Sequence, residues 1–330
     1  KPSGVWIMAY TEIDDPTIYF NTVLYTGANQ TVTGVNFQPS LSWFKQRTTA
    51  ASALFDSVRG ATKFLESSGG LAEQTQATSL TSFTSDGFVL GSDATGHVGG
   101  SSTATVSWNW KESATSGFDI VQFTGNGSNR TISHSLSAVP KVIIVKNLAS
   151  SDSWNVYHSS SGNTHRLFLD TDGAPNDTDT AWNDTTPTSS VFTVGTNTGV
   201  NANTQSIISY LWSEKQGFSK FGSYIGNSAS SGSYIHLGFS PAFVILKKNA
   251  ATGQWRMIDN KRPGYNVVNK SIYANLTNAE SSDTMLDFTA QGFKIRSTDQ
   301  DVNSSGVTYV YLAFAEAPFV NSNGVPCNAR

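Results

Sequence analysis

Four aspartates crowd one short run of the chain: Asp170, Asp172, Asp177 and Asp179 in DTDGAPNDTD, residues 170–179. Carboxylate oxygens at that density could hold calcium, a hard cation that takes oxygen ligands in loose geometry. An EF-hand loop needs its glycine at the sixth position, and here Gly173 stands at the fourth. The corresponding segments ESSGGLAEQT (66–75) and NLTNAESSDT (275–284) do not keep the aspartates. The run therefore reads as a solvated loop with Asx turns, and no metal ligand is assigned.

A second pattern is Asp-x-x-Arg. Asp56/Arg59 and Asp259/Arg262 recur 203 residues apart, and His158 and Ser161 stand at the intervening position. Such a pair could clamp a ligand. The plainer expectation is a surface charge pair fixing a turn after a strand, worth ~0–1 kcal/mol. Glu112, Glu214 and Glu316 recur every 102 residues. Glycoside hydrolysis needs two carboxyls within about 5–10 Å, and nothing in the spacing pairs these three, so no catalytic residue is assigned. The histidines, His97, His134, His158, His165 and His236, form no HxH or HExxH pattern and have no cysteine partners, which leaves zinc without a signature. His134 and His236 precede equivalent strands and are expected to play a structural role. Trp154 and Trp255 lie 101 residues apart and should fill the same core position twice. Trp182 lacks a counterpart and is expected to be exposed, free to stack on a sugar ring or to sit in an interface.

The elements carrying these residues repeat. FQPSLSWFKQ (37–46), AVPKVIIVKN (138–147) and FSPAFVILKK (239–248) share one frame, with Pro39, Pro140 and Pro241 spaced 101 and 101, and Lys45, Lys146 and Lys247 spaced likewise. YTG (25–27), FTG (123–125) and YIG (224–226) precede it; Phe88, Phe192 and Phe293 centre a later strand; SWNWKE, SYLWSE and YLAFAE close each unit on the glutamates. Self-similarity at a fixed period decides the architecture before any other signal. Short strands separated by Gly, Ser, Asn and Asp clusters predict an antiparallel sandwich in each unit. The expected fold is all-β: three tandem, closely packed β-sandwich-like repeats of about 100 residues, spanning 20–113, 114–216 and 217–316. A lead or attachment segment (1–19) precedes them and an arm (317–330) follows. Helical turns are expected only around Leu71–Gln76 and Ala279–Met285. The paired face Leu41/Trp43, Val142/Ile144 and Phe243/Ile245 should fill each sandwich, and Phe44, Val145 and Leu246 should meet a neighbouring unit or subunit.

Composition narrows the function classes. Charged residues make up 14% against about 25% in ordinary domains. Net charge is −3 with no basic run, so the electrostatic footprint of a nucleic-acid binder is missing. Apolar runs are far shorter than the ~20 residues a membrane span needs, and no membrane insertion is expected. The single cysteine, Cys327, allows no intrachain disulfide. The opening KPSGVWIMAY lacks the layout of a signal peptide, and no cofactor motif occurs in context.

FTGNGSNRTISHSLSAVPKVIIVKN, DSWNVYH, GFSKFGSYIGN and YVYLAFAEAPF resemble a repeated domain of unknown function found in marine bacteriophage structural proteins, especially tail-fibre-like proteins of cyanophages. The resemblance covers residues 20–330 and is weakest over the first unit. It implies a virion surface component, assembled in the host cytoplasm with other virion proteins, often as a homotrimer. The expected function is that of a structural and adhesive tail fibre or similar appendage contacting a host surface glycan. A head-decoration or head-fibre protein without a receptor role, and a secreted carbohydrate-binding module, are the alternatives.

Overall fold

The computed structural model describes residues 10–93, 96–100, 102–263 and 266–327; the remainder of the expected lead and arm lies outside them. The described chain is built from antiparallel sheets. The first large sheet orders its strands Phe20–Thr26, Ala104–Trp110, Leu41–Gln46, Ser52–Asp56, Lys63–Glu66 and Gln74–Thr75. The second runs Phe118–Thr124, Ser206–Ser213, Pro140–Asn147, Asn155–His158, His165–Phe168 and Asn176–Asp177. The third runs Ser219–Ile225, Thr308–Pro318, Phe239–Lys248, Arg256–Asp259 and Ser271–Tyr273. In each, the strand that closes the sequence unit lies between the opening strand and the proline strand. A smaller sheet accompanies each large one: Thr31–Val32, Gly87–Leu90 and Leu80–Thr84 with the first, Arg130–Ser133 and Val191–Val194 with the second, and Tyr234–His236, Gly292–Ile295 and Leu286–Thr289 with the third.

Side chains alternate between the two faces of a strand, and the two faces of each proline strand enter different cores. Leu41, Trp43, Val142, Ile144, Phe243 and Ile245 belong to one continuous cluster drawn from all three large sheets. Phe44, Val145 and Leu246 belong to three separate clusters, which they share with residues of the small sheets: Phe88, Phe192 and Phe293 respectively. The expected roles of the two faces are therefore exchanged. The local pair fills the centre of the molecule, and the other face fills each sandwich. Period 2 separates two faces, but it does not say which neighbour each one meets.

The common core is rich in aromatic contacts, stacked and edge-on. Phe20 lies 5.0 Å from Trp110 and Phe118 4.9 Å from Trp212, while Trp110 meets Trp212 at 6.1 Å and Phe314 at 5.6 Å. The joints leading into this core turn on glycines. Gly117 and Gly217 have φ of 71° and 77°, a left-handed conformation that glycine adopts without a Cβ penalty. A Cβ at Gly117 would stand 2.6 Å from the Ser213 carbonyl.

The expected helical turns are absent: Gln74–Thr75 is a strand, and no helix falls within 279–285. Single helical turns occur instead at Asp179–Trp182, Thr198–Asn201 and Gln300–Asn303. The last two are capped by Asn197 and Asp299, whose side chains accept from the backbone N–H two residues on. The described part of the lead packs on the third sandwich and on the arm: Ile13 joins the common core, Tyr10 donates to the Gly238 carbonyl at 2.9 Å, and Asp14 accepts from Ser322 N of the arm at 2.7 Å.

Candidate functional site

The Asp-x-x-Arg pairs lie inside the protein, not on its surface. Asp56 and Asp259 are fully buried, and the side chains of Arg59 and Arg262 are at most 1% exposed. Each aspartate caps the turn that follows its strand. Asp56 Oδ1 accepts from Val58 N and Arg59 N; Asp259 Oδ1 accepts from Lys261 N and Arg262 N. The arginine Nε donates to Oδ2, and Nη2 reaches back to the Leu54 or Met257 carbonyl at 3.0 Å. The surface value of ~0–1 kcal/mol no longer applies. Removing one partner of a buried pair leaves an uncompensated charge and costs about 3–5 kcal/mol.

The same turns carry contacts between sandwiches. Tyr210 of the second donates to Asp56 Oδ2 of the first at 2.7 Å. Trp108 Nε1 of the first donates to Asp259 Oδ2 of the third at 3.2 Å, and Arg262 lies over the Trp108 ring. Between second and third, His158 Nε2 donates to the Tyr311 carbonyl at 3.2 Å while Nδ1 accepts from Ser160 N. That set of bonds suits the neutral imidazole, and burial pushes its pKa down to about 4.

The repeated lysines mark the opposite rim. They share the inward face of their strands with Trp43, Ile144 and Ile245, and all three are buried. Lys45 donates to the Ala50 carbonyl and, at 2.7 Å, to the Leu276 carbonyl of the third sandwich. Lys247 donates to the carbonyls of Asp172 and Gly173 in the second, at 3.1 and 2.9 Å. Lys146 stays within its own sandwich, on Asn147 and Ser150. Desolvation lowers each ammonium to about 8. Trp154 and Trp255 lie in the common core, as expected, and each also reaches back one sandwich, to the carbonyls of Glu66 (2.9 Å) and Phe168 (2.7 Å). The first sandwich has Ser52 at this position. Beside the Lys45 contact, Arg47 of the first pairs with Glu280 of the third through two bonds of 2.9 and 3.0 Å.

The remaining sequence candidates disperse. Trp182, expected to be exposed, is 1% exposed; it donates to the His165 carbonyl and meets Tyr157 edge-on. Its one-turn helix folds inward against the small sheet, which the sequence around it did not reveal. In the aspartate run, Asp170 caps Trp154 N, Asp172 offers its backbone carbonyl to Lys247, and Asp177 is exposed on an edge strand. Among the described residues no group of three His, Cys, Asp or Glu is placed to hold a metal ion. His134 accepts from or donates to neighbouring backbone at Thr188, and His97 pairs with Glu66 at 3.0 Å. Glu112 is half-buried beside Asp119, and desolvation, reinforced by that second carboxyl, raises its pKa to about 7.

Polar groups without partners gather on the outside of the third sandwich. A cleft of about 760 Å³ is lined by the apolar Pro241, Val268 and Phe288 and by the polar Asn260, Lys261 and Glu316. Such a volume lies in the range of ~300–1,000 Å³ that small ligands occupy. Asn260 Oδ1 is buried without a hydrogen bond. Among the described residues, neither the Lys261 ammonium nor the Glu316 carboxylate is engaged in a hydrogen bond or ion pair. Oppositely charged, amide and apolar groups in one concave surface can bind a polyhydroxylated ligand; one carboxylate alone does not make a hydrolytic pair.

The chain belongs to the family described as Domain of unknown function (DUF7483), whose model matches residues 15–318. No curated protein matches it. The family match runs through all three large sheets as one stretch, in keeping with their common core. Within this DUF7483 domain, the cleft was not legible in the sequence because its lining comes from segments as far apart as Pro241, Asn260, Val268, Phe288 and Glu316, which only the fold brings together. Glu316 was visible as a repeated strand-end glutamate; Asn260 and Lys261 carried no signal.

Proposed function

We propose that the chain is a structural and adhesive virion protein, a bacteriophage tail fibre or similar surface appendage, built of three tandem copies of one β unit and holding a host surface glycan in the cleft of the third. The observation that carries this reading is the cleft, where Asn260 Oδ1, Lys261 and Glu316, unpaired among the described residues, share one concave surface with Pro241, Val268 and Phe288. Sugar hydroxyls match the polar lining, and the C–H face of a pyranose matches the apolar lining. The placement of the other chemistry-bearing residues supports binding over turnover, since Asp56, Arg59, Asp259, Arg262, Lys45 and Lys247 hold sandwiches together. The phage setting rests on the resemblance of AVPKVIIVKN and YVYLAFAEAPF.

Two measurements test it. Labelling the chain on purified particles should place it on a projecting appendage; absence from particles rejects the virion role, and a position on the head with no glycan binding favours the head-decoration alternative. A glycan array with the isolated chain should show binding that Glu316→Gln and Lys261→Ala weaken at least tenfold. Binding unaffected by either change removes the cleft from the proposal, and glycan binding by a chain never found on particles favours a secreted carbohydrate-binding module.

A further inference from the structure

We infer that this 330-residue chain is a monomer in which three sandwiches take the places of three subunits in a closed ring. Each sandwich uses one surface toward the next and a different surface toward the previous one. Contacts of this heterologous kind either close into a ring or continue into a filament. Here they close. Asp56 meets Tyr210, His158 meets Tyr311, and Asp259 returns to Trp108. The second series runs the other way: Trp154 to Glu66, Trp255 to Phe168, and Lys45 with Arg47 back to Leu276 and Glu280. Neither series leaves a member unmatched, so no contact of either kind is open to another copy.

The exposed area agrees. On the size scaling of folded proteins, a globular monomer of this mass exposes about 13,000 Å², and three separate domains of a third its size about 18,000 Å². The chain exposes 12412 Å². The inner faces that a trimer of single sandwiches would bury between subunits, such as Trp108, Tyr210 and Phe243, are already 0% exposed within one chain. The proposal is an alternative to the homotrimer expected from the family resemblance, and it stands whether or not the chain is a virion protein. It also fixes a stoichiometry. The positions of Asn260 and Lys261 are Ser57 and Val58 in the first sandwich and Ser159 and Ser160 in the second, so this polar lining of the cleft occurs once per ring.

Sedimentation equilibrium of the full 330-residue chain, from low micromolar to the highest soluble concentration, tests the inference, together with thermal unfolding over the same range. The expected mass is 35.4 kDa throughout, with a Tm independent of concentration. A species of three times that mass, or a Tm that rises with concentration as mass action requires of an oligomer, overturns it.

Discussion

Two joints of the ring solve one geometric problem with opposite electrostatics. Between the first and second sandwiches, a buried carboxylate caps a turn with Oδ1 and accepts the Tyr210 hydroxyl with Oδ2, and Arg59 neutralises it. Between the second and third, a neutral imidazole does both tasks: Nδ1 caps the turn and Nε2 donates across the joint. The change of direction follows from the facing residue. Trp108 and Tyr210 offer a polar hydrogen, but the equivalent residue of the third sandwich is Leu312, which offers none. The polar group it meets instead is the Tyr311 carbonyl, an acceptor, so the cap must be a donor. With no charge to balance, the arginine is dispensable, and Ser161 stands in its place.

Removing the two caps should separate these solutions. Asp56→Ala takes from buried Arg59 its hydrogen-bonded carboxylate, leaving only Glu73 at 3.5 Å, and should lose about 3–5 kcal/mol. His158→Ala removes two neutral hydrogen bonds and should lose only about 1–3 kcal/mol. Denaturant midpoints measure both, and equal losses would mean that the charged joint is no more demanding than the neutral one.

Acid sharpens the comparison. The unfolded chain binds a proton on His158 near its ordinary 6.5, whereas the folded chain refuses it until about 4. Stability from this joint is therefore complete above 6.5 and declines as pH falls toward 4, by at most about 3 kcal/mol. In His158→Gln that decline should vanish, as followed by urea unfolding at stepped pH.

The first joint should respond in the opposite sense, and more weakly because Glu112 is only half-buried and solvent screens it. Glu112, beside Asp119, holds its proton up to about 7 when folded and to about 4.5 when unfolded. Its contribution is complete below 4.5 and is lost as pH rises through 7. Glu112→Gln should abolish that dependence. Urea unfolding at stepped pH measures it, and an unchanged dependence in Glu112→Gln would remove this carboxyl as the cause.

The sequence by itself determined a good deal. Strand alternation, the Pro-x5-Lys frame and the even spacing of Trp154 and Trp255 established the all-β class and the buried tryptophans, because each is a local property of a pleated strand. Tertiary structure decided the rest. Which face of Val142–Val145 meets which core depends on the ring having three members around one centre. Asp56 and Arg59 are buried because Tyr210, about 150 residues away, covers them. Lys45 and Lys247 are buried near the ends of their strands, where they meet backbone carbonyls of another sandwich, and a carbonyl has no residue type by which a sequence could announce it. Trp182 was misread for the converse reason. Its burial comes from a single helical turn against the small sheet, too short to leave a period in the sequence.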